Sequence, residues 1–193
     1  LDEPEGDESE PDALLPNHSV TLQDHSLDVR DRALALRDAL PLDALPWDAV
    51  VEAAHWHDLG KVHPAWQAMI TSKLELPPGP WAKRRVPRGE KGKGPDRISR
   101  RYFRHELASA LAYLAHPDAD DLVAFLIVAH HGKVRTAIRS RPDERPVEEE
   151  ARALGLEDPG VALGVYDGEL LPEADLGGGL TTRPVVLDLS PMR

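Results

Sequence analysis

Apolar residues recur at three- and four-residue steps near the start of the chain and predict a first helix from about Thr21 to Leu40. One face of this helix carries Leu22, His25, Val29, Ala33, Leu36 and Leu40. His25 therefore lies on the apolar face, among side chains that we expect to be buried, and away from the Asp and Arg residues of the opposite face.

Five further segments have helical patterns, separated by segments that contain proline or glycine. They are Trp47–Leu59, ended by Gly60 as a C-terminal cap; PAWQAMITS, opened by Pro64; 101–115, with Leu107, Leu111 and Leu114 towards the core; DLVAFLIVAHH, preceded by Asp118 and Asp120 and ended by Gly132; and 146–154. GVYDGELL and RPVVLDLS favour short extended segments. The predicted fold class is mainly α: a helical bundle with a long basic loop and a few short extended segments near the C-terminus.

The charge distribution divides the chain. Residues 1–12 carry seven acids and no base, so we expect residues 1–16 to be a disordered acidic linker and residues 17–193 to be the folded domain. The segment 76–95 is too rich in Pro, Gly and Lys for regular structure. Ten Lys or Arg residues stand between positions 83 and 104, against two acids, although the net charge of the chain is −11. This basic stretch either contacts a polyanion or only keeps the loop soluble.

The composition restricts the possible metal chemistry. Cysteine is absent, which excludes disulfides and thiolate zinc sites and favours a cytoplasmic protein. Neither a signal peptide nor an apolar run long enough to span a membrane is present. A metal would be held by His, Asp and Glu, which favours iron, manganese, cobalt, nickel, zinc or magnesium. The chain begins with Leu, so we expect it to be a piece of a longer polypeptide.

Polar residues continue the apolar stripes of two helices. His57 and Asp58 follow Val50 and Ala54, and His130 continues a stripe formed by Leu122, Phe125, Leu126 and Ala129. Each histidine alone is more simply a hydrogen-bonded core or helix-end residue. Burying several such groups without partners is unfavourable, however, and helices of a bundle satisfy them together around a shared cation. The joint pattern predicts a metal site.

Four phrases occur in a characteristic order: His25, then HDLGKVHPAWQ, then RHELASA, then IVAHHG. This order resembles the HD metal-dependent phosphohydrolase superfamily, and the flanking residues look like the HD nuclease domain of the type I CRISPR-associated nuclease–helicase. The resemblance implies a site for two divalent ions (Mn, Ni, Co, Fe or Mg) that cleaves DNA, preferably single-stranded, with a helicase and a guide-RNA complex as partners. The ligands it implies are His25, His57, Asp58, His105, His130 and His131. It also implies a late aspartate, for which Asp188 is the candidate unless that residue lies beyond Arg193.

Other residues near these phrases have candidate roles. Asp58 and Lys61 are the candidate catalytic residues: Asp58 would bridge both ions, and Lys61 would bind a phosphate oxygen unless it is a solvated surface lysine. His63 is either a partner of the site or exposed, and Ser109 is a candidate for contact with substrate phosphate. Trp66 is a core residue or a platform for base stacking. The candidate DNA-binding residues are Lys83, Arg84, Arg85, Arg88, Lys91, Lys93, Arg97, Arg100 and Arg101, together with Arg104, Lys133, Arg135 and Arg139.

Two other functions remain open at this point. One is an HD-type nucleotide phosphohydrolase or phosphodiesterase, which the basic stretch disfavours because a small-molecule pocket does not need so many cations. The other is a catalytically inactive HD module that docks on a helicase or effector complex, which the His-Asp and His-His pairs disfavour.

Overall fold

Six α-helices make up most of the ordered secondary structure in the computed structural model, which describes residues 18–40, 42–72, 76–77, 79–85, 98–132 and 139–192. They are α1 (Leu22–Ala39), α2 (Trp47–Trp56), α3 (Pro64–Thr71), α4 (His105–Leu114), α5 (Asp121–Ala129) and α6 (Glu148–Ala153). The mainly α-helical fold class is confirmed. The acidic segment 1–16 and most of the basic loop lie outside the described residues, so the predicted linker boundary stays a prediction.

Short antiparallel strand pairs accompany the helices. The strands are β1 (Val20–Thr21), β2 (Trp81–Lys83), β3 (Val161–Ala162), β4 (Val165–Tyr166), β5 (Leu170–Leu171), β6 (Ala174–Gly177), β7 (Leu180–Thr182) and β8 (Val185–Val186). β1 pairs with β2, β3 with β4, β5 with β8 and β6 with β7. The extended segments predicted near the C-terminus are therefore confirmed. The prediction of one irregular loop over 76–95 was wrong at β2, because the chain just before α1 supplies a pairing partner there.

The core is built around α4, whose first nine residues are all buried. α4 packs against α5 and against a 3₁₀ turn at Leu59–Val62, while α1 packs on α2 and β6. Because α4 is covered on several sides, polar groups on this helix must find partners within the protein. No helix among the described residues is long and apolar enough to cross a membrane.

Side-chain caps set the starts of three helices. The hydroxyl oxygen of Thr21 accepts from the backbone N–H of Asp24 at the start of α1, and Asp120 caps α5 through the N–H groups of Leu122 and Val123. The ring of His63 caps α3, where Pro64 occupies the first turn. These caps account for why the helix starts could be predicted from the sequence.

Several helix ends and faces differ from the predictions. α2 ends at Trp56 instead of Leu59, because the chain turns at Asp58 (φ −106°, ψ 7°) into the 3₁₀ turn; Gly60 is therefore not a C-terminal cap. α4 begins at His105, not near Arg101, since Tyr102 has a positive φ of 64°.

The predicted apolar stripes were wrong at four residues. Leu36 near the end of α1, Leu40 just after it, and Leu122 and Phe125 on α5 are all more than 40% exposed. The buried face of α5 is instead formed by Val123, Ala124 and Ile127. His130 and His131 follow Ile127 by three and four residues, so both continue this buried face.

Candidate metal centre

The His57–Asp58 pair is held against α4 by the 3₁₀ turn that follows it. The backbone N–H of Gly60 donates to the Ser109 hydroxyl at 2.7 Å, and that hydroxyl donates to the His105 carbonyl at 2.9 Å. A Cβ atom on Gly60 would lie 2.1 Å from the same carbonyl oxygen, so only glycine permits this approach. The turn thereby places Asp58 beside His105.

Asp58 lies at the centre of a ring of basic side chains. Its carboxylate is 1% exposed and is approached from α1, α2, the 3₁₀ turn, α4 and the end of α5. The nearest oxygen lies 3.0 Å from His25 Nε2, 3.2 Å from His57 Nε2, 2.8 Å from Lys61 Nζ, 3.1 Å from His105 Nε2 and 3.8 Å from His130 Nε2. Five basic groups therefore converge on one buried carboxylate.

The candidate ligands form two groups that meet at Asp58. One group is His25, His57 and Asp58, and the other is His105, His130 and His131, with the ligand atoms of each group within 4.8 Å of one another. Asp58 Oδ2 faces the first group and Oδ1 faces the second. His131 joins the second group through Nε2, which lies 3.1 Å from His105 Nε2. The structure thus brings all six predicted ligands together.

The electrostatics of Asp58 suit a bound cation. Burial raises the pKa of its carboxyl group, but the neighbouring His57 and Lys61, together with His105 and His25, outweigh burial and hold the pKa well below its ordinary value. Despite the short distances, neither carboxylate oxygen receives a hydrogen bond of acceptable geometry from the described residues. A buried, ionised carboxylate without directed donors fits a divalent ion, which needs oxygen ligands but no hydrogen-bond angle.

The tautomers of two histidines are fixed by backbone carbonyls. Nδ1 of His57 lies 2.8 Å from the Ala54 oxygen, and Nδ1 of His130 lies 2.7 Å from the Ile127 oxygen. A carbonyl only accepts, so Nδ1 carries the proton and Nε2 of the neutral ring keeps its lone pair. Both Nε2 atoms face Asp58, as metal ligands would.

Burial also keeps two of the rings neutral. It lowers the pKa of His105 to about 4, with the carboxylate of Asp58 opposing the shift only in part. It lowers the pKa of His130, whose side chain is 20% exposed, to about 3. Neutral imidazole is the form that binds metals, so both rings are ready to act as ligands near neutral pH.

Lys61 and His63 are buried, which excludes the surface roles left open for them. Lys61 is 6% exposed, and its ammonium group contacts Asp58 and lies 5.0 Å from the centroid of the Trp66 ring. His63 caps α3 through Nδ1, while its Nε2 lies 3.1 Å from Glu169 Oε2. Trp66 packs half-buried against Lys61 and the His105 ring, so it belongs to the wall of the cluster.

Two of the candidate DNA-binding arginines have structural partners instead. Arg100 is 3% exposed and pairs with Glu169 and with Glu150. Arg84 donates to the carbonyl oxygens of Ile70 and Ser72 at the end of α3. Both were predicted as surface cations only because they stand in a basic run.

The other candidate cations divide by exposure. Arg85 and Arg139 are exposed, Lys83 is half-buried on β2, and Arg101 is 70% exposed and paired with Asp143. Arg88, Lys91, Lys93, Arg97, Lys133 and Arg135 lie outside the described residues. The prediction of a basic DNA-binding surface therefore rests on Arg85, Arg101, Arg139 and residues that the structure does not describe.

Two weaker candidates are not at the cluster surface. Asp188 is exposed, accepts from the backbone N–H and hydroxyl of Ser190, and belongs to neither ligand group. The Ser109 hydroxyl is fully buried between Gly60 and His105, so it positions the turn and is not open to a phosphate.

A buried glutamate beside the cluster was missed. Glu106 is 8% exposed and lies next to His105 at the start of α4. The signal that could have revealed it is a glutamate placed directly before LASALA, a run of apolar and small residues that predicts a buried helix.

Comparison with protein families gives one match. The family described as "Cas3, HD domain" matches residues 8–170, which is most of the chain. No curated protein and no solved structure matches the chain.

Proposed function

The chain belongs to the Cas3 HD-domain family, whose members are CRISPR-associated HD nucleases, and on that premise we propose that it is a metal-dependent deoxyribonuclease that prefers single-stranded DNA. It would act in the cytoplasm in type I CRISPR interference, on DNA supplied by a helicase after a guide-RNA complex has opened the target. Membership of the family supports hydrolysis of the HD type; the substrate and the partners named here are our proposal.

The observation that carries the proposal is the convergence of both ligand groups on Asp58. An ionised, buried carboxylate without directed hydrogen bonds from the described residues lies between two imidazoles on one side and three on the other. His25, His57, His105, His130 and His131 would hold two divalent ions, and Asp58 would bridge them. The chemistry that bound ions supply is activation of water and neutralisation of charge at phosphate.

The chain's own groups would prepare this reaction. Lys61 keeps Asp58 ionised and places positive charge where a phosphate oxygen would lie. The carbonyls that bind Nδ1 of His57 and His130 hold both rings in one orientation. Trp66 covers Lys61 and His105 from one side.

The basic stretch begins next to the cluster, which favours a nucleic-acid substrate. The Gln67 side chain donates to the Lys61 carbonyl at 2.6 Å and to the Trp81 carbonyl at 3.0 Å, so it ties β2 to the 3₁₀ turn. After β2 the chain passes through Arg84, which binds carbonyls at the end of α3, to the exposed Arg85. Cations that start beside the cluster would hold a DNA backbone across it without reading its sequence.

Cleavage of circular single-stranded DNA tests the proposal. The purified chain is loaded in turn with manganese, nickel, cobalt or magnesium, and we expect cutting with at least one of them and none with EDTA. Asp58→Asn keeps the size of the side chain but removes its charge, and we expect it to lower both cutting and metal binding by at least about 100-fold.

Asp38→Asn is the matched control, because Asp38 is an exposed carboxylate on α1 that pairs only with its neighbour Arg37 among the interactions described. It should cut as the wild type does. If the DNA stays intact with every metal while nucleotides or cyclic nucleotides are hydrolysed, the chain is a small-molecule phosphohydrolase and not a nuclease. Metal binding without any hydrolysis would favour an inactive docking module.

A further inference from the structure

Glu106 is a buried carboxyl group that the proposed chemistry does not use. Its side chain is 11% exposed, and its Oε2 atom is buried without a hydrogen-bond partner among the described residues. Two basic groups approach it beyond hydrogen-bond distance: Arg104 Nη1 lies 3.6 Å from Oε1, and His105 Nδ1 lies 3.7 Å from Oε2. A buried oxygen without a donor is unfavourable and calls for a functional reason.

The position of His105 in its helix supplies that reason. His57 and His130 follow the last turns of α2 and α5, so a carbonyl three residues earlier lies under Nδ1 of each ring. His105 is the first residue of α4 and has no preceding helical turn; Tyr102, three residues earlier, has a φ of 64°. Its Nδ1 therefore needs an acceptor from elsewhere, and Glu106 Oε2 faces it.

We propose that Glu106 is a positioning residue, whose carboxylate accepts the Nδ1–H of His105 when Nε2 of that ring binds a metal ion. The inference rests on the metal site of the proposed function. A movement of about 1 Å brings Oε2 from its present distance to hydrogen-bond distance. The bond fixes the ring with Nε2 towards Asp58 and makes the imidazole a stronger ligand, as carboxylates behind metal-binding histidines do.

Metal affinity measured by calorimetry tests this role. Mn²⁺ is titrated into the wild type, Glu106→Gln and Glu106→Met, all as the whole chain. We expect Glu106→Met to bind about 10- to 100-fold more weakly, because it fills the same space without an acceptor. Glu106→Gln should lie between the two, since its amide oxygen accepts a hydrogen bond but carries no charge.

Glu144→Gln is the matched control, because Glu144 is also buried (4% exposed) but accepts from the backbone N–H groups of Arg141 and Gly164. It should lower the melting temperature and leave the Mn²⁺ affinity unchanged. Equal affinity in the wild type and Glu106→Met would overturn the positioning role while the metal site stands. A wild type that binds no metal would instead overturn the proposed function.

Nuclear magnetic resonance gives a second readout, whose first part uses the wild type alone. In the Zn²⁺-loaded wild type, used as a diamagnetic probe, the Nδ1–H protons of His57, His105 and His130 should all exchange slowly with water. In Glu106→Gln, only the His105 proton should shift and exchange faster. A His105 Nδ1–H that already exchanges rapidly in the loaded wild type would contradict the inference.

Discussion

At the scale of single residues, the cluster depends on charge balance around Asp58. Asp58 is only 1% exposed, and burial of this kind raises the pKa of a carboxyl group. His57 and Lys61, together with His105 and His25, reverse that tendency, and the first two come from the same short segment of chain. The segment from His57 to Lys61 therefore carries a ligand pair together with the cation that keeps the carboxylate ionised.

Gly60 is the residue that lets this segment reach α4, and Gly60→Ala tests its importance. The added Cβ would lie 2.1 Å from the His105 carbonyl oxygen and 2.9 Å from Ser109 N, so the turn must move away from α4. We expect a loss of about 3 kcal/mol or more in the free energy of unfolding, together with weaker metal binding. Urea denaturation and metal titration measure the two effects.

Gly160→Ala is the control for that substitution. A Cβ on Gly160 would meet only Asp167, at an ordinary contact distance of 3.5 Å, and its φ is not in the left-handed region. We expect it to change stability by less than about 1 kcal/mol. A Gly60→Ala variant as stable as Gly160→Ala would show that the turn is not held closely against α4.

The sequence predicted the residues of the cluster better than their surroundings. His25 and Asp58 could be found because polar residues on an apolar stripe must be satisfied inside. His130 was placed by a stripe that is exposed at Leu122 and Phe125, and it reaches the cluster from the other face of α5. Arg100 was predicted as a surface cation, whereas it is buried, because its partner Glu169 lies 69 positions away in sequence and nothing local distinguishes a paired arginine from a surface one. Glu106 was missed for a related reason: its importance depends on where α4 begins, which propensity does not locate to a single residue.

At the scale of elements, the C-terminal strands are tied to the helices by a buried ion-pair network. Arg100 pairs with Glu169, which follows β4, and with Glu150 on α6, and it stacks on the Tyr166 ring with its guanidinium carbon 4.1 Å from the ring centroid. Glu169 also contacts His63, the cap of α3. One network thus connects α3, α6 and the strand region, and this connection could not be read from any single helical or strand pattern.

The pH dependence of stability tests this network. Burial raises the pKa of Glu169, but its hydrogen bond with His63 and the charges of His63 and Arg100 outweigh burial, so the folded pKa lies below the ordinary 4.5. A lowered folded pKa stabilises the protein at pH values above the unfolded pKa. That contribution is lost as the pH falls below about 4.5 and through the folded pKa.

Glu169→Gln should therefore be less stable than the wild type by about 3 kcal/mol near neutral pH, because Arg100 keeps its buried charge without this partner. The difference in the free energy of unfolding should stay constant down to about pH 5 and narrow below that. Urea denaturation of both proteins at several pH values measures it. A difference that does not change on acidification would mean that the charge of Glu169 does not contribute.

At the scale of the whole molecule, charge is distributed in keeping with a polyanionic substrate in spite of the net charge of −11. The basic stretch leaves β2 beside the 3₁₀ turn that carries Lys61, whereas the aspartates Asp28 and Asp31 on α1 are each paired with an arginine of the same helix. Net charge alone argues against nucleic acid. The start of the basic stretch beside the cluster favours it, because a local field steers a charged ligand more than the sum of charges does.

The salt dependence of DNA binding separates binding arginines from structural ones. Arginine is replaced by glutamine at two candidate binding positions, 85 and 101, and at two structural positions, 84 and 100. Each substitution removes the same charge, so the four variants can be compared directly. We expect the Arg85/Arg101 double variant to reduce the slope of log K against log salt by about 0.7 for each phosphate that the variant no longer neutralises, with little change in melting temperature. Both side chains are exposed.

Arg84→Gln and Arg100→Gln should behave in the opposite way, because their guanidinium groups bind carbonyls and carboxylates within the protein. We expect both variants to melt at lower temperatures, and Arg100→Gln to lose about 3 kcal/mol in the free energy of unfolding. The salt slope of both should equal that of the wild type. Fluorescence titration of single-stranded DNA at several salt concentrations, together with thermal melts, gives both quantities. A reduced slope in Arg100→Gln at unchanged stability would mean that Arg100 contacts DNA. An unchanged slope in the Arg85/Arg101 double variant would mean that only the other basic residues contact DNA.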